Sequence, residues 1–206
     1  MSKRIFVTGI STDVGKTIAS AIIAEALKAD YWKPVQSGDL DYSDTHKVKE
    51  LVSNPDTKFH PNSYALKVPI SPHASAAIDG ITIESEKILE PDTQNTLVIE
   101  GAGGLLVPLN DHSTILDILK PEYKVVVVSR HYLGSINHTL LTIDLLKQKG
   151  YNISILFSGK EHPTTEQIIQ KMTGVPVIGR IDEEKGFSKE VIRRYADHFR
   201  KKLEAL

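Results

Sequence analysis

Short apolar runs rich in β-branched residues alternate along the chain with longer stretches in which apolar residues recur at helical spacing. Each short run ends near Gly, Pro or a polar residue, as buried strands commonly do. We predict strands at RIFVT (4–8), YWKPV (31–35), NTLVIEGA (95–102), YKVVVVSR (123–130), NISILFSG (152–159) and VPVIGRI (175–181).

Four longer stretches predict helices, at residues 16–29, 136–150, 164–174 and 188–206. We expect Gly150 to close the second of them, because glycine readily ends a helix in a left-handed conformation. We expect Thr164 or Thr165 to cap the third helix and Ser188 to cap the last, since hydroxyl side chains satisfy free amides at helix starts.

Strands that are apolar on both faces and alternate with helices predict a mainly parallel sheet covered on both sides, which is a three-layer α/β fold. We expect one domain over residues 1–206, since no linker, repeat or low-complexity tract interrupts the chain. Residues 37–95 are rich in Pro, Ser and Asp. There we expect loops and short helices over the carboxyl-terminal edge of the sheet.

Charge and cysteine content narrow the classes of function. The 25 basic and 26 acidic residues leave a net charge of −1, which gives no reason to expect nucleic acid or a membrane as partner. The absence of Cys excludes disulfides, thiolate metal sites and a cysteine nucleophile. The first apolar run is too short for a signal sequence and no run suits a membrane helix, so we expect a cytoplasmic protein.

The stretch VTGISTDVGKT, residues 7–17, joins the first predicted strand to the first predicted helix. The usual phosphate-binding loop has four residues between its glycines, whereas Gly9 and Gly15 are separated by five. A helix that starts at Lys16 offers free amides and a positive dipole end to phosphate. Lys16 can reach the outer phosphates and the Thr17 hydroxyl can hold Mg²⁺, whereas a purely structural turn needs neither residue. We therefore predict phosphate binding.

Two acids are candidates for the carboxylate that such a site needs near its metal. Glu100 follows four apolar residues and precedes glycines, although a strand-ending acid beside a turn is the structural alternative. Asp44, in DYSDTHKV, is the weaker candidate because it also fits a helix N-cap. Lys33, before Pro34, ends a predicted strand and would face the crevice where ligands bind in open α/β sheets, unless it lies on the surface.

Five stretches together resemble the dethiobiotin synthetase family, in order, from the first strand to about residue 150. They are VTGISTDVGKT, YWKPVQSG, VPISPHASA, VIEGAGGLLVPL and LGSINHTLLT. The five-residue spacing in the phosphate loop is itself the form that this family has, and the last quarter of the chain matches only in pattern. The resemblance implies a P-loop NTPase-type domain and a homodimer.

The resemblance also implies a reaction. Enzymes of this family are ligases of biotin synthesis that join CO₂ to 7,8-diaminononanoate and close a cyclic urea, while ATP is split into ADP and phosphate. They are thought to proceed through a carbamate and a carbamic-phosphate anhydride. This order is chemically sensible, because carbamate oxygen is a poor leaving group until it is phosphorylated.

Each residue that matches the family's motifs takes an implied role. Thr17, Asp44 and Glu100 would hold Mg²⁺. Thr12 would touch the carbamate or substrate, and Lys16 and Lys33 would neutralise charge on the γ-phosphoryl group and the carbamate. The residues implied to bind the nucleotide or its metal are Asp13, Val14, Gly15, Lys16, Thr17, Ile18, Asp44, Glu100, Gly101, Ala102 and Gly103.

For the diamine substrate, the resemblance implies contacts with Ser37 and, from the partner subunit, with Gly134, Ser135, Ile136 and Asn137. The last four residues would bind the substrate carboxylate at a helix start, although simple capping by Ser135 is the structural alternative. Ser158 stands where the family usually has an Asn that reads adenine, and GRIDEEKG lacks the family's proline-rich turn. Base preference therefore stays open.

The spacing of the histidines does not indicate a metal site, because no two of them stand at ligand spacing on one helix. His73, in SPHASA, lies in a family-like loop over the site or only caps a turn. We expect the other seven to be surface or capping residues: His46, His60, His112, His131, His138, His162 and His198.

Two other classes of phosphate-loop protein are the alternatives. A switch ATPase akin to the partitioning proteins usually carries a second lysine early in the loop, where this chain has Ile10 and Ser11. An ATP-dependent amide-forming enzyme acting on a larger acid generally needs a glutaminase domain with a Cys nucleophile, and the chain has no Cys.

Overall fold

The computed structural model of the protein describes residues 2–206. Along these residues the strands and α-helices are β1 (Arg4–Gly9), α1 (Lys16–Leu27), β2 (Asp30–Trp32), β3 (Val35–Ser37), α2 (Asp44–Leu51), β4 (Phe59–His60), β5 (Tyr64–Leu66), α3 (Pro72–Ile78), β6 (Leu97–Glu100), β7 (Lys124–Arg130), α4 (Ser135–Gln148), β8 (Asn152–Ser158), α5 (Pro163–Thr173), β9 (Val177–Ile181) and α6 (Lys189–Glu204).

A seven-stranded parallel sheet forms the centre of the molecule, with strand order β4-β2-β6-β1-β7-β8-β9. Helices α1, α2 and α6 pack on one another, and so do α4 and α5. The consecutive valines at 125–128 in β7 are all buried, without the alternation of a sheet that has one wet face. The predicted three-layer, mainly parallel P-loop fold is confirmed.

The predicted strand at residues 31–35 is wrong as a single strand. β2 ends at Trp32, and β3 begins at Val35 in a separate two-stranded sheet with β5. Pro34 lies between them, and its carbonyl accepts hydrogen bonds from the amides of Ser63 and Tyr64. Because Pro has no amide to donate to a strand ladder, the chain leaves the central sheet there, immediately after Lys33.

Residues 37–95 contain the short helices α2 and α3, as expected, but also two strands that the pattern does not predict. β4 pairs with β2 at the edge of the central sheet, and β5 pairs with β3. These strands are two and three residues long, so they are too short to give a periodic signal.

Two of the three predicted helix-terminal residues are confirmed and one prediction is wrong. Ser188 caps α6, since its side chain accepts a hydrogen bond from the Val191 amide, and Gly150 follows α4 with a φ of 80°. The predicted threonine cap of α5 is wrong, because the N-cap residue is His162 and the helix starts at Pro163. Pro suits this first helical position, where its missing amide costs no hydrogen bond.

Parallel strands all end at the same edge of their sheet, and this edge gathers the residues of interest. β1 ends at Gly9, at the start of the phosphate loop, and β6 ends at Glu100. Lys33 follows the end of β2. In residues 2–206 we find no helix that is long and apolar enough to cross a membrane.

Candidate active site

A cleft of about 900 Å³ opens at the carboxyl-terminal edge of the sheet. Residues that the sequence analysis selected line much of it: Thr12, Asp13, Gly15, Lys16, Thr17, Ile18, Lys33, Ser37, Asp44, Glu100, Ala102 and Gly103. They come from four separate parts of the chain. The fold therefore brings together the phosphate loop, the residues after β2 and β6, and the start of α2.

The phosphate loop leads directly into the amino terminus of α1. Gly15 is the N-cap residue, with a φ of 96° and no side-chain cap, and the first turn of α1 carries no acid. The free amides and the positive dipole end therefore meet no competing negative side chain on their own helix turn. At Gly9 a Cβ atom would lie 2.6 Å from Val14 Cγ2, so only glycine fits this close approach. This geometry suits a phosphate.

Lys16 is buried at the start of α1, and its Nζ donates a hydrogen bond to the carbonyl of Ser11 at 3.0 Å. Burial lowers the pKa of Lys16 to about 8, with a further contribution from Lys33 in the same direction, while Glu100 opposes the shift. A group whose charge is disfavoured by burial gains from an anionic neighbour. The ammonium group is thus prepared for a negatively charged ligand.

Lys33 lies between two carboxylates. Its Nζ donates to Glu100 Oε1 at 3.1 Å and also to Asp44 Oδ2, and its side chain is only 6% exposed. Burial alone would lower the pKa of Lys33, but Glu100 and Asp44 outweigh it and raise the pKa. Lys33 therefore stays charged inside the cleft, and the surface alternative for this residue is wrong.

Thr17 completes a set of oxygen groups around Glu100. Its Oγ1 donates a hydrogen bond to Glu100 Oε1 at 3.0 Å, beside the Nζ of Lys33. One hydroxyl and the carboxylates of Glu100 and Asp44 are hard oxygen ligands of the kind that Mg²⁺ prefers, usually together with substrate phosphates. In residues 2–206 no group of three or more His, Asp or Glu side chains could hold a metal by itself. The residues present fit Mg²⁺ held with a nucleotide.

The structural alternative for Asp44, a role as the N-cap residue of α2, is wrong. The N-cap residue is Ser43, which shares a reciprocal capping arrangement with His46, and Asp44 is the first helical residue. Burial would raise the pKa of Asp44, but Lys33 and then Lys47 lower it. Its side chain is thus free of a capping role and available to the cleft.

Tyr31 belongs to the same cluster, although the sequence analysis did not select it. Its hydroxyl donates a hydrogen bond to Glu100 Oε2 at 2.9 Å, and the whole residue is buried. Burial, followed by the charge of Glu100, raises the pKa of Tyr31 well above its ordinary value. An apolar-rich strand gives no sign of such a contact, because it depends on the neighbouring strand.

Two of the predicted nucleotide-binding residues do not line the cleft. The Val14 side chain is buried against Gly9, and the Val14 carbonyl accepts a hydrogen bond of 2.6 Å from Ser158 Oγ. Gly101 packs close to the Phe6 ring, where a Cβ atom would lie 3.1 Å away. Both are held by the core, so only their backbone could serve a nucleotide.

Twelve residues that the sequence analysis did not select as site residues also line the cleft: Gln36, Asp39, Tyr42, Lys47, Glu50, Leu51, Pro69, Ile70, Ser71, Pro72, Val107 and Phe187. Most lie in the irregular segment after β3. A second hollow of about 320 Å³ shares Gly15, Ile18 and Phe187 with the cleft and also contains Arg130 and Ser158. The phosphate loop therefore continues into a smaller recess beside the end of β8.

Residues 134–137 lie at the start of α4 and are not part of this cleft. The capping alternative for Ser135 is wrong, because the N-cap residue is Gly134 and no side chain caps the helix. Leu133 is fully exposed, and Tyr132 and Ile136 are partly so. The loop thus presents an apolar surface beside a helix start whose amides are not capped by a side chain.

The histidine predictions hold only in part. His46 takes part in capping α2, and His162 is the N-cap residue of α5. His131 is neither a surface nor a capping residue, since its side chain is 9% exposed and its Nε2 lies 2.9 Å from Glu166 Oε1. His73 lies in α3, with its amide 3.3 Å from the carbonyl of Pro108.

Residues 3–191 match the family model described as an AAA domain. The chain is 59% identical over 204 residues to the ATP-dependent dethiobiotin synthetase BioD of Christiangramia forsetii, covering 98% of this chain and 99% of the relative. The chain belongs to the dethiobiotin synthetase family. The protein of that name from Cytophaga hutchinsonii is 46% identical over 197 residues, with 94% and 95% coverage. The predicted family and enzyme class are therefore confirmed.

Among solved structures, a ParA family ATPase from Chlorobium tepidum superposes on this dethiobiotin synthetase family member with a TM-score of 0.62, over the full length of both chains. The two sequences are 15% identical. At that level the likeness shows a common P-loop fold alone, and it does not favour the switch ATPase as an alternative.

Proposed function

We propose that this protein forms dethiobiotin from 7,8-diaminononanoate, CO₂ and ATP, with ADP and phosphate as the other products. One observation carries the proposal. Lys33, held between Glu100 and Asp44, lies in the same cleft as Lys16 and Thr17 of the phosphate loop. Two buried lysines beside a metal-binding set suit the transfer of a phosphoryl group to an anionic acceptor such as a carbamate.

In the proposed reaction, an amine nitrogen bonds to the carbon of CO₂ and loses a proton to give a carbamate. A carbamate oxygen then bonds to the γ-phosphorus, while the bond from this phosphorus to the oxygen of ADP breaks. The second amine attacks the carbonyl carbon of the carbamic-phosphate anhydride. Phosphate leaves with the former carbamate oxygen, and the ring nitrogen loses its proton.

The lysines would supply most of the charge stabilisation that this chain contributes. Lys16 would bind the γ-phosphoryl group, and Lys33 would neutralise the carbamate oxygen that attacks it. Thr12 lines the cleft near Gly103, and Ser37 lines it beyond Lys33, so both would contact the carbamate or the diamine. The buried Ser37 Oγ has no hydrogen-bond partner within residues 2–206, so a contact from the substrate would satisfy it.

The nucleotide would lie along Asp13 to Ile18, with Gly101 to Gly103 on its other side. Thr17, Asp44 and Glu100 would hold Mg²⁺. The bound ion would neutralise phosphate charge during the transfer. Lys33 already contacts both carboxylates, so the site keeps a positive charge beside them in the structure described here.

We propose a homodimer in which Gly134, Ser135, Ile136 and Asn137 of one subunit bind the substrate carboxylate in the cleft of the other. The fully exposed Leu133 beside them supports this, because a large apolar side chain at the surface gains from burial by a partner. The uncapped start of α4 is suited to a carboxylate. The predictions of a single domain, of a cytoplasmic location and of no nucleic-acid or membrane partner stay predictions.

The proposal is tested by incubating the purified protein with 7,8-diaminononanoate, bicarbonate, Mg²⁺ and ATP, and measuring ADP release. We expect release only when diamine and bicarbonate are both present, together with a product of the mass of dethiobiotin. ADP release that ignores the diamine would contradict the proposal and favour a switch ATPase. Turnover with another nucleoside triphosphate in place of ATP would change only the proposed nucleotide substrate. Ser158 would then be the first residue to test for base preference.

A further inference from the structure

Tyr31 reaches Glu100 across two neighbouring strands of the central sheet. β2 pairs with β6 so that Tyr31 lies opposite Val98 and Trp32 opposite Ile99, which places Glu100 just beyond. The Tyr31 hydroxyl donates to Glu100 Oε2 at 2.9 Å. Tyr31 is completely buried and Glu100 is 1% exposed, so the contact is shielded from bulk solvent.

The two oxygens of the Glu100 carboxylate face different groups. Oε2 accepts its hydrogen bond from Tyr31, whereas Oε1 accepts from Thr17 Oγ1 and Lys33 Nζ, at 3.0 and 3.1 Å. Rotation of the carboxylate about its terminal bond would break all of these contacts. Because the two oxygens of a carboxylate are equivalent, the donor at Oε2 fixes the orientation of the carboxylate plane, with the other oxygen facing Thr17 and Lys33.

We propose that Tyr31 is a positioning residue of this active site, and that its hydroxyl orients Glu100 Oε1 towards Thr17, Lys33 and the metal. The inference rests on the proposed function, since it assigns a task to a carboxylate that would hold Mg²⁺. Groups that hydrogen-bond to a metal ligand in this way commonly set its orientation and affinity.

Packing alone does not account for a tyrosine at this position. The ring packs against Phe59 with centroids 6.2 Å apart, and a phenylalanine ring would fill the same space. Only the hydroxyl distinguishes the two side chains, and it donates a hydrogen bond to Glu100, with Thr45 as its other polar neighbour. The substitution Tyr31→Phe therefore removes the positioning contact and little else.

The chain offers a matched control in Tyr123. This tyrosine is also buried and also donates to a glutamate, Glu90 Oε1, at 2.6 Å, but it packs on Phe6 and does not line the cleft. The substitution Tyr123→Phe breaks the same type of contact away from the site. Any loss of affinity or activity that both variants share is then due to the destabilisation caused by losing a buried hydrogen bond.

The test compares wild type, Tyr31→Phe and Tyr123→Phe in the binding of Mn²⁺ with the ATP analogue AMPPNP, measured by electron paramagnetic resonance, and in dethiobiotin formation. For Tyr31→Phe we expect Mn²⁺ affinity to fall by about 10-fold or more, the range for outer partners of a metal ligand. The Mg²⁺ concentration needed for half-maximal turnover should rise in parallel, while the KM for the diamine stays unchanged. Tyr123→Phe should match wild type in each of these measurements.

The experiment distinguishes a failure of the positioning role from a failure of the proposed reaction. Wild-type Mn²⁺ affinity in Tyr31→Phe would overturn the positioning role and leave the proposed reaction intact. Mn²⁺ binding by wild type without any dethiobiotin would overturn the reaction and leave the positioning role to be judged by the binding data. An equal loss of affinity in both variants would overturn the positioning role, because it would assign the effect to general destabilisation.

If Tyr31→Phe does not fold, the wild-type protein labelled with fluorotyrosine replaces it. The chain has seven tyrosines, so the Tyr31 signal is identified by assigning the other six, each by its disappearance in the corresponding phenylalanine variant: Tyr42, Tyr64, Tyr123, Tyr132, Tyr151 and Tyr195. We expect the Tyr31 signal to shift when Mg²⁺ is added to the AMPPNP complex, and the Tyr123 signal to stay. A Tyr31 signal that does not respond to Mg²⁺ would overturn the proposal.

Discussion

Lys33 is charged in a place where burial opposes charge, because Glu100 and Asp44 both accept hydrogen bonds from it. The three side chains form a largely buried ion cluster, with Asp44 at its partly exposed edge, and its members depend on one another. Breaking such a buried cluster at one member leaves the others with uncompensated charge. Changes at single residues of this cluster should therefore affect catalysis more than the size of the substitution suggests.

Lys33→Gln keeps a hydrogen-bond donor, on a side chain one bond shorter, but removes the charge. We expect the turnover number to fall by about 10²-fold or more, as for the loss of one preorganised charge contact, while the fold survives. Steady-state ADP release checks the rate, and circular dichroism checks the fold. Lys87→Gln, which removes a surface lysine paired with Glu84, is the control and should leave the rate unchanged. A normal rate in Lys33→Gln would make Lys33 structural.

Thr17→Val preserves the shape of the side chain and removes the hydroxyl that contacts Glu100. We expect Mg²⁺-dependent turnover to be lost, because the hydroxyl is one of the predicted metal ligands. Thr17→Ser restores the hydroxyl and should restore most of the activity. Near-normal turnover by Thr17→Val over a range of Mg²⁺ concentrations would refute the role of Thr17 in metal binding.

At the scale of elements, the end of β8 holds the phosphate loop. Ser158 is the last residue of this strand, and its hydroxyl donates to the carbonyl of Val14 in the loop at 2.6 Å. The contact is buried and joins segments that are far apart in sequence. The Ser158 hydroxyl therefore gives its one proton to the loop in this structure, so it could contact a base only as a hydrogen-bond acceptor.

Ser158→Ala should loosen the phosphate loop. We expect a loss of about 1–3 kcal/mol in the free energy of unfolding, because the Val14 carbonyl is left buried without its donor. The KM for ATP should rise more than the KM for the diamine, since the loop contacts phosphate. Urea unfolding and steady-state kinetics measure the two effects. Ser154→Ala, in the same strand, is the control, and an equal change in it would remove any special role from Ser158.

A second link between elements lies at the opposite edge of the sheet, at the start of β2. The buried Asp30 carboxylate accepts hydrogen bonds from Thr93 and Asn95 side chains and from the Lys58 amide, and it contacts His60 Nε2 at 3.2 Å. Burial would raise the pKa of Asp30, but these hydrogen bonds outweigh it and lower the pKa. The carboxylate thus ties β4 and the segment before β6 to β2.

This link predicts an acid-dependent stability. A carboxyl group whose pKa is lower in the folded state stabilises the protein above its unfolded pKa of about 3.9, and the contribution is lost as the pH falls through the folded value. Asp30→Asn should therefore be less stable than wild type at neutral pH, with a difference that shrinks below about pH 4. Urea unfolding across this pH range measures it, with the exposed Asp92→Asn as control. A difference that does not change with pH would contradict the assignment.

At the scale of the whole molecule, the cleft has an open side that its own chain does not fill. The predicted carboxylate-binding residues 134–137 lie outside it, beside the exposed Leu133. A substrate with two amines at one end and a carboxylate at the other needs contacts at both ends. A second subunit is one way to supply the distant contact, and this makes the proposal of a homodimer testable by kinetics.

Asn137→Ala should mainly raise the KM for the diamine, because it removes a contact to the substrate and none to the reacting groups. The turnover number at saturating diamine should change little. Asn152→Ala, exposed at the opposite end of the sheet, serves as the control. An unchanged KM in Asn137→Ala would mean that the carboxylate binds elsewhere.

The sequence by itself determined the order of the main strands and helices and the position of the phosphate loop. It also determined the main candidate residues for binding phosphate and metal. Its long apolar runs are local signals, so they predict β1, β6, β7, β8 and β9 without knowledge of their neighbours. The pairs Gly15–Lys16 and Glu100–Gly101 are recognisable for the same reason, since strand, turn and helix follow one another directly along the chain.

Only the tertiary structure decided which groups touch. Strands β4 and β5 are too short for a pattern and exist because β2 and β3 pair with them. Tyr31 reads as an ordinary strand residue until β2 lies beside β6, which brings its hydroxyl to Glu100. Ser158 likewise meets Val14 only through the sheet. Hydrogen bonds between distant segments depend on distances of a few ångströms, and no local pattern in a chain encodes such a distance.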